Sequence, residues 1–272
     1  MIDHSYSKTL LTVQNVCLSY DGKQILKDVN AVVKEIDRTC GKGQVVGFLG
    51  PSGIGKTQLF RIIAGLNKPT SGGVYLNGTD KAVRAGEVGV VAQSYPLLYH
   101  RTVLSNLMRA ALQKEKNWHD ASSKVIDYLD EFDLTDKRHL YPMQLSGGQR
   151  QRIAIIQQIL CSDHFLLMDE PFSGLDMIML EKTAEMIQKV ANLDVANTII
   201  IVTHDITSAA SVSDHLWLMG RDRDANGTPI PGAHIVETYD LVERELCWEP
   251  GIITQPKFME FVAEVKNRFR SL

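Results

Sequence analysis

Gly50-Pro51-Ser52-Gly53-Ile54-Gly55-Lys56-Thr57 is the stretch that decides the fold. It fits the pattern G-x-x-x-x-G-K-[ST], a loop that cradles a triphosphate. Just before it stands Val45-Val46-Gly47-Phe48-Leu49, a continuous apolar run of the kind buried on both faces of a sheet. Gly50, Gly53 and Gly55 let the loop turn its backbone N–H groups inward. The helix that follows then presents the positive end of its dipole to the phosphates. Lys56 adds a full charge within reach of the β- and γ-phosphates, and the Thr57 hydroxyl suits Mg²⁺. Pro51, Ser52 and Ile54 complete the loop, with Gln58 immediately after it.

Working outward, Phe165-Leu166-Leu167-Met168 and Ile199-Ile200-Ile201-Val202 repeat the doubly buried character, and amphipathic segments separate them. A parallel α/β sheet reads this way. The amino-terminal third differs. Thr12 to Tyr20 alternates more, and Asp21-Gly22 and Asn77-Gly78 are turn dipeptides between strand-like runs, which predicts a small antiparallel sheet. Between Pro96 and Leu145 the chain becomes helical and more polar. Thr102 suits the cap of a helix carrying Leu104, Leu107, Met108 and Leu112. Val125, Ile126, Leu129 and Phe132 form a second stripe.

Two further stretches carry chemistry. Phe165 to Glu170 is a buried strand that delivers adjacent carboxylates, Asp169 and Glu170, at its end. Successive strand residues point to opposite sides, so the two neighbours can take different tasks. His204 follows the 199–202 strand; a lone histidine there is more often structural. Leu145-Ser146-Gly147-Gly148-Gln149 places a serine and two glycines at a helix start. At average residue frequencies, an accidental pairing of this run with the phosphate loop is rarer than about one in a hundred thousand.

With both motifs present, the chain resembles ATP-binding cassette proteins along most of its length. The resemblance implies an α/β fold: a P-loop NTPase (RecA-like) parallel-sheet core, an antiparallel β subdomain and an inserted helical subdomain. The segments expected are 1–95 for the antiparallel subdomain and the first part of the core, and 96–150 for the helical subdomain. The second part of the core takes 151–236, and a helical tail takes 237–272. The ligands implied are ATP and Mg²⁺. Asp169 matches the magnesium-organising aspartate and Glu170 the carboxylate that polarises the attacking water. His204, in Ile201-Val202-Thr203-His204-Asp205, matches the switch histidine near the γ-phosphate. Gln93 matches the glutamine that senses Mg²⁺ and the γ-phosphate and links them to the helical subdomain. Tyr20 is similar to the ring that stacks on adenine, although Lys34 to Gly43 reads as a small insertion between it and the loop. Gln58 stands where many relatives have a second Ser or Thr; it leaves Thr57 untouched and reads as tolerated.

The family places Ser146, Gly147, Gly148 and Gln149 against the γ-phosphate held by the other subunit's Lys56. Asp176, in Ser173-Gly174-Leu175-Asp176, meets that subunit too. A homodimer closed by two ATP molecules is therefore implied. Gln93 to Val103 resembles the surface that receives a coupling helix from an integral membrane permease subunit. A periplasmic or extracellular substrate-binding protein is the remaining partner implied. Tyr141 to Gly148 and the short helical block are similar to nitrate, sulfonate and taurine importer ATPases. Ile156-Gln157-Gln158-Ile159-Leu160 and an extra polar loop from Gly220 to Val236 depart from that subgroup. An exporter or lipid-extruding ATPase shares every motif. The rival from another class, a non-transport ATP-dependent clamp, would bring long heptads or two cassettes.

Composition agrees with this reading. The net charge of −3 and pI near 6.2 offer no general polyanion-binding surface, so no nucleic-acid partner is expected. Cys17, Cys40, Cys161 and Cys247 lack C-x-x-C spacing and read as plain thiols. Met1-Ile2-Asp3-His4 has no secretory character, and no apolar run reaches the roughly 20 residues needed to span a bilayer. The expected location is the cytoplasmic face of the membrane, held through permease subunits. After Pro256, Phe258, Phe261, Val262, Val265 and Phe269 share one helical face, with Lys257, Lys266, Arg268 and Arg270 nearby. Packing of that face on its own domain is the plainest expectation, ahead of regulatory contact or membrane binding.

Overall fold

The computed structural model describes residues 4–38, 43–162, 164–247 and 251–272. The readings of Met1 to Asp3, of Cys40 and of the middle of the Lys34–Gly43 insertion lie outside them. Strand β1 (His4–Tyr20) turns into β2 (Lys23–Arg38) through Asp21-Gly22. Both turn residues have positive φ, 48° and 76°, which is what a two-residue type I′ hairpin needs. After β3 (Gln44–Leu49) and α1 (Lys56–Ile63), β4 (Ser71–Leu76) returns to pair with β1, so the order β2-β1-β4 is the antiparallel sheet foreseen from the alternation.

Next come β5 (Gly89–Val91), then α2 (Val103–Ala111), α3 (Trp118–Glu131) and α4 (Gly147–Cys161). Each of the three helices starts on a side-chain cap: Thr102, Asn117 and Ser146 accept from the backbone N–H three residues on. Leu112 falls beyond α2 and is exposed, because the helix ends at Ala111. The remaining elements are β6 (Phe165–Asp169), α5 (Met177–Asn192), β7 (Thr198–Thr203), α6 (Ile206–Val212), β8 (His215–Gly220), β9 (His234–Asp240) and α7 (Pro256–Arg270).

The core sheet runs β5-β6-β7-β3-β8-β9, parallel up to β8 and antiparallel at β9. Every residue of β3 and β7 is buried, as their unbroken apolar runs predict. The helical block has no separate core. Leu107, Val125, Leu129 and Ile153 share one apolar cluster with Leu166, Ile199 and Ile201 of the sheet. The boundary expected at 150/151 falls inside α4, and that at 236/237 falls inside β9. The sheet therefore continues to Asp240, because β9 satisfies the edge of β8; the tail helix begins only at Pro256. On that helix Phe258, Phe261, Val262 and Val265 pack with Leu216, Leu218 and Tyr239 of β8 and β9, and Phe269 is partly buried against them. Among the described residues no helix is long and apolar enough to cross a membrane. Cys17, Cys161 and Cys247 are free thiols.

Candidate functional site

The carboxyl ends of β3, β5, β6 and β7 deliver loops to one edge of the sheet, where crevices form in parallel α/β folds. One cleft there, of about 450 Å³, is lined by Tyr20, Ile25, Ser52, Gly53, Gly55, Lys56, Thr57, Gln58, Gln93, Asp169, Glu170 and Val202. Gly53 and Gly55 have φ of 75° and 120°, conformations that a side chain would strain. A Cβ on Gly50 would stand 3.1 Å from Ile54 and Met219, a tight approach at which those neighbours must give. Lys56 donates to the carbonyls of Gly50 at 2.6 Å and Pro51 at 3.1 Å, which leaves one of its three N–H donors for a phosphate oxygen. Burial lowers the Lys56 pKa, and the carboxylates of Glu170 and Asp169 oppose that shift. An anionic ligand would reinforce the charged form.

Asp169 closes β6, and its pKa is raised by burial and by the neighbouring Glu170, against the pull of Lys56 and Arg61. The two carboxylates do not separate by strand alternation, as the sequence suggested. β6 ends at Asp169, and Glu170 adopts a left-handed conformation with φ 48°. Its N–H donates to the Val202 carbonyl at 2.8 Å. Both side chains therefore line the same cleft, and it is the turn at Glu170 that sends them to different partners. Thr203 Oγ1 donates to Glu170 Oε2 at 2.9 Å, and His204 Nδ1 lies 3.0 Å from both carboxylate oxygens. An ionised carboxylate only accepts, so this contact suits the tautomer with the proton on Nδ1.

Thr57, Gln93 and Asp169 contribute a hydroxyl, an amide carbonyl and a carboxylate to this cleft, an all-oxygen set that suits the hard cation Mg²⁺. Among the described residues no group of three His, Cys, Asp or Glu side chains could hold a metal ion. Tyr20 lies on the cleft with its hydroxyl 3.1 Å from Gln58 Oε1. Gln58 therefore engages the Tyr20 side chain. Its partners Tyr20 and Asn67, and the Thr203 contact to Glu170, were not foreseen; Asn67 belongs to no motif.

The structure does not bring Ser146, Gly147, Gly148, Gln149 or Asp176 into the cleft. Ser146 and Gln149 form a reciprocal capping box at the start of α4, and Asp176 caps α5 through Met179 N–H at 2.9 Å. Ser146 and Gly147 are exposed, as are Met177 and Ile178 beside Asp176. Gln151, also unforeseen, is buried on α4 and its amide donates to the Pro171 carbonyl at 3.4 Å. It ties the helix of the Ser-Gly-Gly run to the loop after Glu170. On the 93–103 surface, Leu98 and Tyr99 are exposed while Leu97 and Val103 are buried.

Comparison with known proteins places this geometry. The family model described as ABC transporter matches residues 33–173, more than half of the chain. The sulfate/thiosulfate import ATP-binding protein CysA of Synechococcus elongatus is 37% identical over 70% of this chain; the chain spans 56% of that relative's length. The spermidine/putrescine import ATP-binding protein PotA of Spiroplasma citri is 36% identical over 92% of this chain and 70% of its own. Among solved structures, a dimeric ATP-binding cassette in a post-hydrolysis state with ADP and Pi superposes with TM-score 0.67 at 26% identity, covering 85% of this chain and 99% of that one. A shared phosphate loop alone would leave many nucleotide-binding families open; the matched family model and these relatives leave one, and the chain belongs to the ABC transporter family.

Proposed function

We propose that this chain is the ATP-binding and hydrolysing subunit of a membrane importer. One observation carries the reading: Glu170 is held by Thr203 and His204 on the same cleft as Lys56, Thr57 and Asp169. ATP enters with its phosphates on the loop Gly50–Thr57 and its base against Tyr20. Thr57, Gln93 and Asp169 would hold Mg²⁺, which would supply positive charge against the phosphates. Glu170 accepts hydrogen bonds from Thr203 and His204 and keeps lone pairs with which to polarise a water. His204 fixes the carboxylate's orientation, so the water meets the γ-phosphorus in line.

The Ser146-Gly147-Gly148 run, exposed at Ser146 and Gly147, completes the site from a second copy, which makes the active form a homodimer. The exposed Leu98 and Tyr99 support docking of a permease subunit at the cytoplasmic face of the membrane. Import, with an external substrate-binding protein, is the direction favoured by the relatives' names. Those names join a divalent oxyanion with a polycation, two solutes without common chemistry. This is expected where the permease and binding protein, not the ATPase, select the cargo. The test is Glu170→Gln. It should reduce ATP hydrolysis by about 10²- to 10⁴-fold and accumulate an ATP-loaded dimer visible by size-exclusion chromatography. Turnover at the native rate would refute the assignment.

A further inference from the structure

Three side chains from separate segments close a polar ring beside the nucleotide cleft. The Tyr20 hydroxyl at the end of β1 donates to Gln58 Oε1 at 3.1 Å. Asn67 Nδ2 donates to the same oxygen at 3.1 Å and to the Tyr20 oxygen at 3.4 Å. Tyr20 and Gln58 line the cleft, whereas Asn67 stands behind them. The backbone fixes Asn67 firmly: its N–H donates to the Arg61 carbonyl at 3.1 Å, and that of Leu66 to the same carbonyl at 2.8 Å, closing the end of α1. The loop that follows is stitched to β1 by Thr70 N–H to the Cys17 carbonyl at 2.8 Å and by Ser19 N–H to Thr70 Oγ1 at 3.0 Å. A phenol ring 47% exposed would otherwise sample several rotamers; the shared hydrogen bonds select one.

The ring also orients Gln58. Its carbonyl oxygen accepts from both neighbours, which turns the NH₂ end away from them. Among the described residues that nitrogen has no hydrogen-bond partner. Gln58 sits between Thr57, at the phosphates, and the Tyr20 ring.

We propose that Asn67 is a positioning residue for nucleotide binding: through the hydrogen bonds it shares with Gln58 and Tyr20 it locks the Tyr20 ring for base stacking. This rests on the reading of the cleft as an ATP site and adds Asn67, a residue outside the phosphate-loop pattern.

The test compares binding of ATP and of inorganic tripolyphosphate to the full chain by calorimetry. Tripolyphosphate has neither base nor sugar, so it reads the phosphate loop alone. Asn67→Ala and Tyr20→Phe should each weaken ATP about three- to tenfold. The double variant should be within about twofold of either single, because the groups act as one unit, and tripolyphosphate binding should not move. Native ATP affinity in Tyr20→Phe would overturn the proposal. So would an equal loss for both probes in Asn67→Ala, which would mark Asn67 as merely structural. Lys56→Ala separates the two levels. If it leaves both probes bound as in the native chain, the ATP-site reading fails and this inference with it; if it abolishes both while Tyr20→Phe changes nothing, only this inference fails.

Discussion

Asp169 stands partly buried beside a second carboxylate, Glu170. Its pKa is raised from the ordinary 3.8 by burial and by Glu170, so the folded chain holds that proton more tightly than the unfolded one does. Its contribution to stability is therefore greatest below the unfolded value and is lost as pH rises through the folded one. At neutral pH the ionised carboxylate is a net liability in the nucleotide-free protein. Asp169→Asn should raise the melting temperature of that form by about 2–4 °C at pH 7, while hydrolysis falls to background. A lower melting temperature would mean that Lys56 and Arg61 outweigh desolvation. At this scale the sequence was legible wherever a motif spanned one loop, as at Lys56 and Thr57. It was silent on Thr203 and Asn67, whose roles depend on neighbours distant in the chain.

Among the elements, β9 was read least well. The polar segment 220–236 hid the start of an edge strand whose side chains are mostly half-buried, so no clean alternation marks it. At its end the Asp240 carboxylate accepts from Tyr6 on β1, and His215 Nε2 on β8 lies 3.4 Å away. Burial alone would raise the Asp240 pKa, but the hydrogen bonds from His215 and Tyr6 prevail and hold it far below the usual carboxylate range. A depressed carboxylate stabilises above its unfolded value and loses that effect as pH falls. Asp240→Asn should therefore cost about 2 kcal/mol at pH 7. The gap to the native protein should narrow as pH drops below about 4, followed by thermal melts from pH 7 to pH 3. A gap independent of pH would show that packing, not charge, is lost. The apolar stripe of α7 was legible from its spacing, though not the surface it covers. Phe261 is buried, in edge contact with Tyr239 at 5.5 Å. Phe261→Ala should cost about 3–5 kcal/mol by chemical denaturation; an unchanged midpoint would remove α7 from the core.

For the whole molecule, the separation of the cleft from the Ser146-Gly147-Gly148 run matters most. If one copy's cleft is completed by another copy's helix start, two inactive variants should rescue each other. Lys56→Ala and Ser146→Arg should each lack hydrolysis, and their mixture should regain it. The mixed dimer contains one site with Lys56 from one chain and Ser146 from the other. No recovery on mixing would place the whole site within a single copy. What the amino-acid order determined alone is local: a phosphate loop between a buried strand and a helix, the caps at Thr102 and Ser146, the Asp21-Gly22 hairpin, and the strand runs. Each depends on the conformational limits and hydrogen bonds of a few consecutive residues. Tertiary structure decided the rest. It brought Thr203 and His204 to Glu170, set Asn67 behind Tyr20 and Gln58, and merged the helical block with the sheet in one core. Such contacts join residues remote in the chain, where periodicity and turn chemistry carry no information and burial decides which groups meet.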